Sequence, residues 1–192
     1  MADQYLPVTW REYTSLAQKL AAAVFSGPSP VEIIVAISRG GLTLGHLLSD
    51  HLRLPISTIT IQSYSDIQTH GEAVLTQKLC VTIKGKHVLL VDDVSDSGKT
   101  FARATRYLKR LGPKEISALA MYFKPHSSFR PDYYARQTKK WILFPYEPTE
   151  MIFLITKQMT SEGASKATIQ KFLMTLGYTS ENIAFVRKHY LP

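Results

Sequence analysis

A chain of 192 residues, 45% apolar and 20% charged, can bury the core of one domain with a small appendage, and it excludes long-range disorder. No apolar run reaches the ~18 residues needed to cross a bilayer. Met1 to Pro7 does not read as a secretory signal, and the lone Cys80 excludes a disulfide framework or a multi-cysteine zinc site, which points to the cytoplasm. The formal charge of +8 suggests an anionic partner: nucleic acid, a membrane surface or a small phosphate compound.

Val8 to Phe25 reads as a helix, with Leu16, Leu20, Ala23 and Val24 at helical spacing and Thr9 and Glu12 in a capping-box pattern. Ser26-Gly27-Pro28-Ser29-Pro30 ends it, and Val31 to Ile37 is a short β-branched run that fits a buried strand. Ser38-Arg39-Gly40-Gly41 is a loop before a helix over Leu42 to Leu52 and a strand over Ile56 to Ile61. Ser65 to Gln77 is polar and aperiodic and reads as a mobile loop. Val88 to Val91 is a buried strand, Gly98 to Leu111 a helix, Ile116 to Phe123 a strand, and Trp141 to Phe144 a shorter one. Apolar strands alternating with helices predict an α/β fold, with a doubly wound, mainly parallel sheet covered by helices on both faces. Glu150 to Ser161, Ser165 to Leu176 and Ser180 to His189 read as three short helices, so the chain divides into 1–147 and a helical appendage, 148–192. The last two resemble a helix-turn-helix pair in spacing, but Ile169, Phe172, Leu173, Leu176, Phe185 and Val186 favour packing.

The most informative segment is Val88-Leu89-Leu90-Val91-Asp92-Asp93-Val94-Ser95-Asp96-Ser97-Gly98-Lys99-Thr100. Its end looks like that of a triphosphate P-loop, but such a loop requires glycine where Asp93 stands, and a carboxylate there repels the triphosphate. A strand running through two acids into a glycine turn and a helix start has a different logic. Backbone N–H groups from Ser97 to Thr100 can hold one phosphate. The carboxylates suit sugar hydroxyls and a magnesium ion. A phosphorylated ribose has that layout.

The segment resembles the phosphoribosyl pyrophosphate signature of the type I phosphoribosyltransferases: four apolar residues, two acids, then a loop closing on Ser97-Gly98-Lys99-Thr100. Ala36 to Leu42 resembles the pyrophosphate loop of the purine members, the xanthine–guanine ones above all. Arg39 is a permanent cation for pyrophosphate oxygens and Gly40 permits close backbone approach. Ser63-Tyr64 matches a pair at the head of a loop that closes over pyrophosphate in those members. Lys124 stands where they contact the oxygen on purine C6, and a lysine donor favours a 6-oxopurine over adenine. Trp141 stands where they stack on the base, and Ile142 where backbone groups meet the ring edge.

The resemblance implies the type I fold with a small hood. It also implies transfer of phosphoribosyl from phosphoribosyl pyrophosphate to guanine, hypoxanthine or xanthine, giving the nucleoside monophosphate and pyrophosphate in purine salvage. Ser38, Arg39 and Gly40 then face pyrophosphate, Asp92 and Asp93 hold the ribose hydroxyls and the magnesium shell, and Ser97 to Thr100 grip the 5′-phosphate. Asp96 lies by N7 of the base as the catalytic proton acceptor. A homo-oligomer is expected, with no membrane and no nucleic-acid partner. The alternative is a regulator of the same fold that senses phosphoribosyl pyrophosphate and binds nucleic acid. Metal-ligand spacing is absent among the six histidines, and none is given a chemical role. The charge is local: residues 99–140 carry a net +9 and the rest −1, which places the excess around the phosphoribosyl site.

Overall fold

The structure is a computed structural model and describes residues 2–63 and 73–191. By its contacts the chain divides into two compact units, one formed by Thr14–Lys139 and one by Met1–Tyr13 with Lys140–Pro192.

The larger unit is built on a six-stranded sheet. Its strands are β2 (Ile33–Ser38), β3 (Ile56–Ser63), β4 (Ala73–Gln77), β5 (His87–Ser95), β6 (Glu115–Phe123) and β7 (Tyr133–Gln137). The order is β4-β3-β2-β5-β6-β7, parallel except for the antiparallel edge strand β4. β4 corrects the loop expected over 65–77 at its C-terminal end; 64–72 lie outside the described residues. The apolar centres of β2 and β5 are buried on both faces, as a parallel sheet covered by helices requires. α2 (Gly40–Leu52) lies on the face of Ile34 and Ala36: a Cβ at Gly45 would come within 2.9 Å of Ala36 Cβ. α3 (Lys99–Lys109) covers the other face, where Phe101, Ala104 and Leu108 pack with Ile33, Val35, Ile37 and Leu90. Burying each such side chain contributes roughly 1.5–3 kcal/mol.

α1 (Trp10–Phe25) begins two residues later than the apolar pattern suggests. Thr9 is its cap, and its Oγ1 accepts from Glu12 N–H at 3.2 Å. Val8 instead donates its N–H to Leu143 O at 3.0 Å, within the smaller unit. There β1 (Tyr5–Pro7) pairs in parallel with β8 (Trp141–Leu143). Three helices follow: α4 (Pro148–Ser161), α5 (Lys166–Thr175) and α6 (Ser180–Tyr190). Ser165 and Thr179 cap the last two through their hydroxyls. Leu143 packs among Met151, Ile152, Ile155, Leu173 and Val186, within the same compact unit as the three helices. Five of the six apolar residues expected to pack in α5 and α6 do so, whereas Phe185 is half exposed.

Candidate active site

The sheet order reverses between β2 and β5. The chain leaves β2 through α2 toward β3 on one side and leaves β5 through α3 toward β6 on the other. Loops leaving the carboxyl ends of two such strands diverge and leave a crevice, where ligands bind in open α/β sheets. Ser38-Arg39-Gly40 ends β2, and Asp92-Asp93 with the turn Asp96-Ser97-Gly98 ends β5. Sequence neighbours within each loop are thus brought together across the two loops.

The two loops touch at the acids. A Cβ at Gly40 would fall within 2.6 Å of the Asp93 carboxylate, and one at Gly41 would meet Val91 O. Only glycine lets this loop lie against β5. The Ser38–Arg39 peptide is cis. Asp92 is buried; its Oδ1 accepts the Asp93 N–H at 3.0 Å, and the Gly41 N–H also donates to its carboxylate. Burial first, and the adjacent Asp93 charge second, hold the Asp92 carboxyl well above the usual carboxylate range despite those bonds.

These donors fit a hard cation such as magnesium, which takes oxygen ligands and keeps part of its shell from water and substrate phosphates. Among the described residues no group of three or more His, Cys, Asp or Glu converges. The chain's own contribution here is therefore the two adjacent carboxylates.

The expected phosphate cradle lies at the start of α3. Gly98 occupies the cap position with φ +83°, a conformation natural to glycine, and its carbonyl accepts from Ala102 N–H at 3.0 Å. Lys99 N–H reaches Ser97 Oγ at 3.4 Å. The first-turn N–H groups and the positive end of the helix dipole meet at Ser97 to Thr100, suiting an anion.

A second segment, of which the sequence marked only Lys124, holds this turn in place. Lys124 N–H donates to Ser95 O (3.0 Å), and Ser128 donates to Ser97 O from both its N–H (3.2 Å) and its Oγ (2.8 Å). Buried Ser95 donates its hydroxyl to Phe129 O (2.7 Å), and the Phe129 ring stacks on Phe101 with centroids 5.2 Å apart. A Cβ at Gly98 would come within 2.5 Å of Phe129 N. The phosphate turn is thus sandwiched between α3 and the 124–129 segment. Beyond Lys124, the sequence signal for that segment was a polar turn directly after a buried strand.

Lys124 ends that strand almost fully buried, and burial pushes its ammonium below the usual lysine value while the Asp96 carboxylate opposes the shift. His126, given no role from the sequence, places Nε2 2.8 Å from Asp96 Oδ1. Of the remaining candidates, Ser63 ends β3 and Tyr64 lies outside the described residues. Trp141 and Ile142 belong to the smaller unit, where the indole is 57% exposed and Ile142 is buried opposite Leu6.

The phosphoribosyl transferase domain family matches residues 9–150. The xanthine-guanine phosphoribosyltransferase of Gluconobacter oxydans (strain 621H) is 31% identical over 164 residues, 83% of this chain and 93% of that protein. The purine phosphoribosyltransferase from Pyrococcus horikoshii Ot3 is 34% identical, with a TM-score of 0.69 over 75% of this chain and 95% of its own. The Helicobacter pylori xanthine-guanine-hypoxanthine enzyme shares the fold at 21% identity, with a TM-score of 0.67 over 82% of this chain and 99% of its own. A match running from the first helix to the start of the helical tail, with a relative of this identity over most of both chains, establishes that the chain belongs to the phosphoribosyl transferase domain family.

Proposed function

We propose that this enzyme transfers phosphoribosyl from phosphoribosyl pyrophosphate to a 6-oxopurine, releasing pyrophosphate and a nucleoside monophosphate in purine salvage. The observation that carries this reading is the meeting of the Arg39-Gly40 loop, the Asp92-Asp93 pair and the open start of α3 at one sheet end. That set offers a cation for pyrophosphate, carboxylates for ribose hydroxyls and amides for the 5′-phosphate.

In this reading Ser97 to Thr100 bind the 5′-phosphate. Asp92 and Asp93 orient the ribose and would hold magnesium, which when bound supplies charge neutralisation of the pyrophosphate. Ser38, Arg39 and Gly40 line the leaving group, and Arg39 stabilises the charge that grows on it. The C1′–oxygen bond breaks with oxocarbenium character as N9 of the base attacks, comparable to glycoside transfer. Asp96 takes the N7 proton. Lys124 donates to the oxygen on C6, and its position beside Asp96 supports that pairing. The roles of Trp141 as a stacking face, of Ile142 at the ring edge and of Ser63-Tyr64 in loop closure rest on resemblance alone. Residues 148–192 are an appendage to the transferase domain, in keeping with a family match that ends at 150. The free Cys80 thiol suits the reducing cytoplasm, and assembly into a homo-oligomer rests on resemblance alone.

The test is turnover of guanine, hypoxanthine, xanthine and adenine with phosphoribosyl pyrophosphate and magnesium. Nucleotide formation with the 6-oxopurines and not with adenine is expected. Binding of phosphoribosyl pyrophosphate without turnover of any base would favour the regulator.

A further inference from the structure

Two short segments are zipped together at the end of the sheet. Residues 95–97 supply carbonyls and residues 124–128 supply donors: Lys124 N–H to Ser95 O, and Ser128 N–H and Oγ to Ser97 O. The residues between the anchors face each other. Asp96 lies between Ser95 and Ser97, and His126 sits in a turn closed by the Ser127 N–H to Lys124 O bond of 2.9 Å. Their side chains meet at 2.8 Å, Nε2 to Oδ1. An ionised carboxylate only accepts hydrogen bonds, so His126 Nε2 is the donor.

Both side chains are more than half exposed. An exposed pair of this kind adds little to folding stability, since solvent screens it and ordering two side chains opposes it. What the pair fixes is direction. A free aspartate samples several rotamers, whereas one bonded through Oδ1 to a turn held at both ends presents Oδ2 in one orientation.

We propose that His126 is a positioning residue for the proton transfer: it holds Oδ1 of Asp96 so that Oδ2 faces N7 of the incoming purine. This inference rests on the function proposed above. The base enters as its N7–H tautomer. As N9 bonds to C1′, the C1′–oxygen bond breaks and its electron pair leaves with pyrophosphate, while the N7 proton moves to Asp96 Oδ2 and later to solvent. Lys124 also interacts electrostatically with Asp96, and in the proposed function it takes the C6 side of the same base. His126 and Lys124 thus flank the carboxylate, one orienting it and one orienting the base.

The experiment measures single-turnover nucleotide formation by the full chain with saturating phosphoribosyl pyrophosphate, magnesium and the best base. His126→Ala is expected to slow this step about 10- to 100-fold while leaving the KM for phosphoribosyl pyrophosphate and the melting temperature near the parent's. His126→Gln, whose side-chain amide donates from the same place, is expected to recover most of the rate. In an Asp96→Asn background His126→Ala should cost nothing further. An unchanged rate in His126→Ala overturns the inference, as does a glutamine variant no better than alanine, or an equal loss from His126→Ala with and without Asp96. Parent protein that forms no nucleotide with any base overturns the functional reading along with it, whereas active parent with an indifferent His126→Ala overturns this inference alone.

Discussion

Replacing Asp92 with asparagine should make the free protein more stable and the enzyme inactive. The Asp92 carboxylate is buried and lies beside a second one, and both effects raise its pKa more than the hydrogen bonds from the Asp93 and Gly41 amides lower it. A carboxyl whose pKa is raised on folding contributes its full stability below the unfolded value and loses it as pH rises through the folded value. As pH climbs above the ordinary carboxylate value, the buried carboxyl therefore costs the fold about 1.4 kcal/mol per pH unit until its raised folded value is passed. Asparagine occupies the same volume, keeps one carbonyl oxygen for the Asp93 N–H and carries no charge. In a chain of this length each kcal/mol recovered raises the melting temperature by roughly 2–4 °C. The assay is thermal unfolding of parent and Asp92→Asn without ligands from pH 4 to pH 8. The gap between them should be near zero at pH 4 and widen as pH rises. Adding phosphoribosyl pyrophosphate with magnesium should raise the parent's melting temperature and leave the variant's almost unmoved. A variant that melts at or below the parent across the range, with native circular dichroism, would refute the reasoning that the acid pair is a cost in the free chain.

The other substitutions separate cradle from base site. Gly98→Ala forces an L-residue into φ +83° and drives a Cβ against Phe129 N; a loss of about 1–2 kcal/mol in chemical denaturation and a raised KM for phosphoribosyl pyrophosphate are expected. Phe129→Ala removes the ring stacked on Phe101 and loosens the carbonyl that Ser95 holds. It should cost about 1–3 kcal/mol in the same assay and raise that KM without altering the choice of base. Lys124→Met removes a buried ammonium at similar volume. Stability should hold, while kcat/KM for hypoxanthine falls about 10- to 100-fold and discrimination against adenine shrinks with it, as steady-state assays with both bases would report.

What could be read in the sequence was whatever one segment encodes by itself. The strands β2 and β5 announce themselves as short apolar runs, and Asp92-Asp93 with the glycine turn after them is a contiguous signal. The edge strands were not legible for the opposite reason. β4 has only Val74 and Leu75 as larger apolar residues, β7 runs Tyr133-Tyr134-Ala135-Arg136-Gln137 after a proline, and β1 is three residues long. Each is a strand because a neighbour supplies a ladder, which no local pattern records. The cradle's support was hidden the same way. Ser95 looks like one more small residue of the phosphate loop until its hydroxyl is seen on Phe129 O, more than thirty residues on. His126 reads as a lone surface histidine until the two segments are zipped together.

The location of charge in this chain has one physical pattern. Its excess of positive charge lies in residues 99–140, part of it on α3, where Arg106 and Lys109 are exposed to solvent. The charges at the sheet end are different in kind. Asp92 is held where its charged form is disfavoured by burial and by Asp93, and Lys124 where its own is disfavoured by burial. In the proposed reaction each of these penalties would be opposed: a divalent cation carried with pyrophosphate would relieve the acids, and a purine carbonyl would give the lysine an acceptor. Groups strained in this way bind more tightly as the complementary charge develops, which favours the transition state over free substrate. A surface helix of arginines and lysines can attract a polyanion from a distance. It cannot discriminate among polyanions, and that discrimination falls to the few charges the fold keeps out of water.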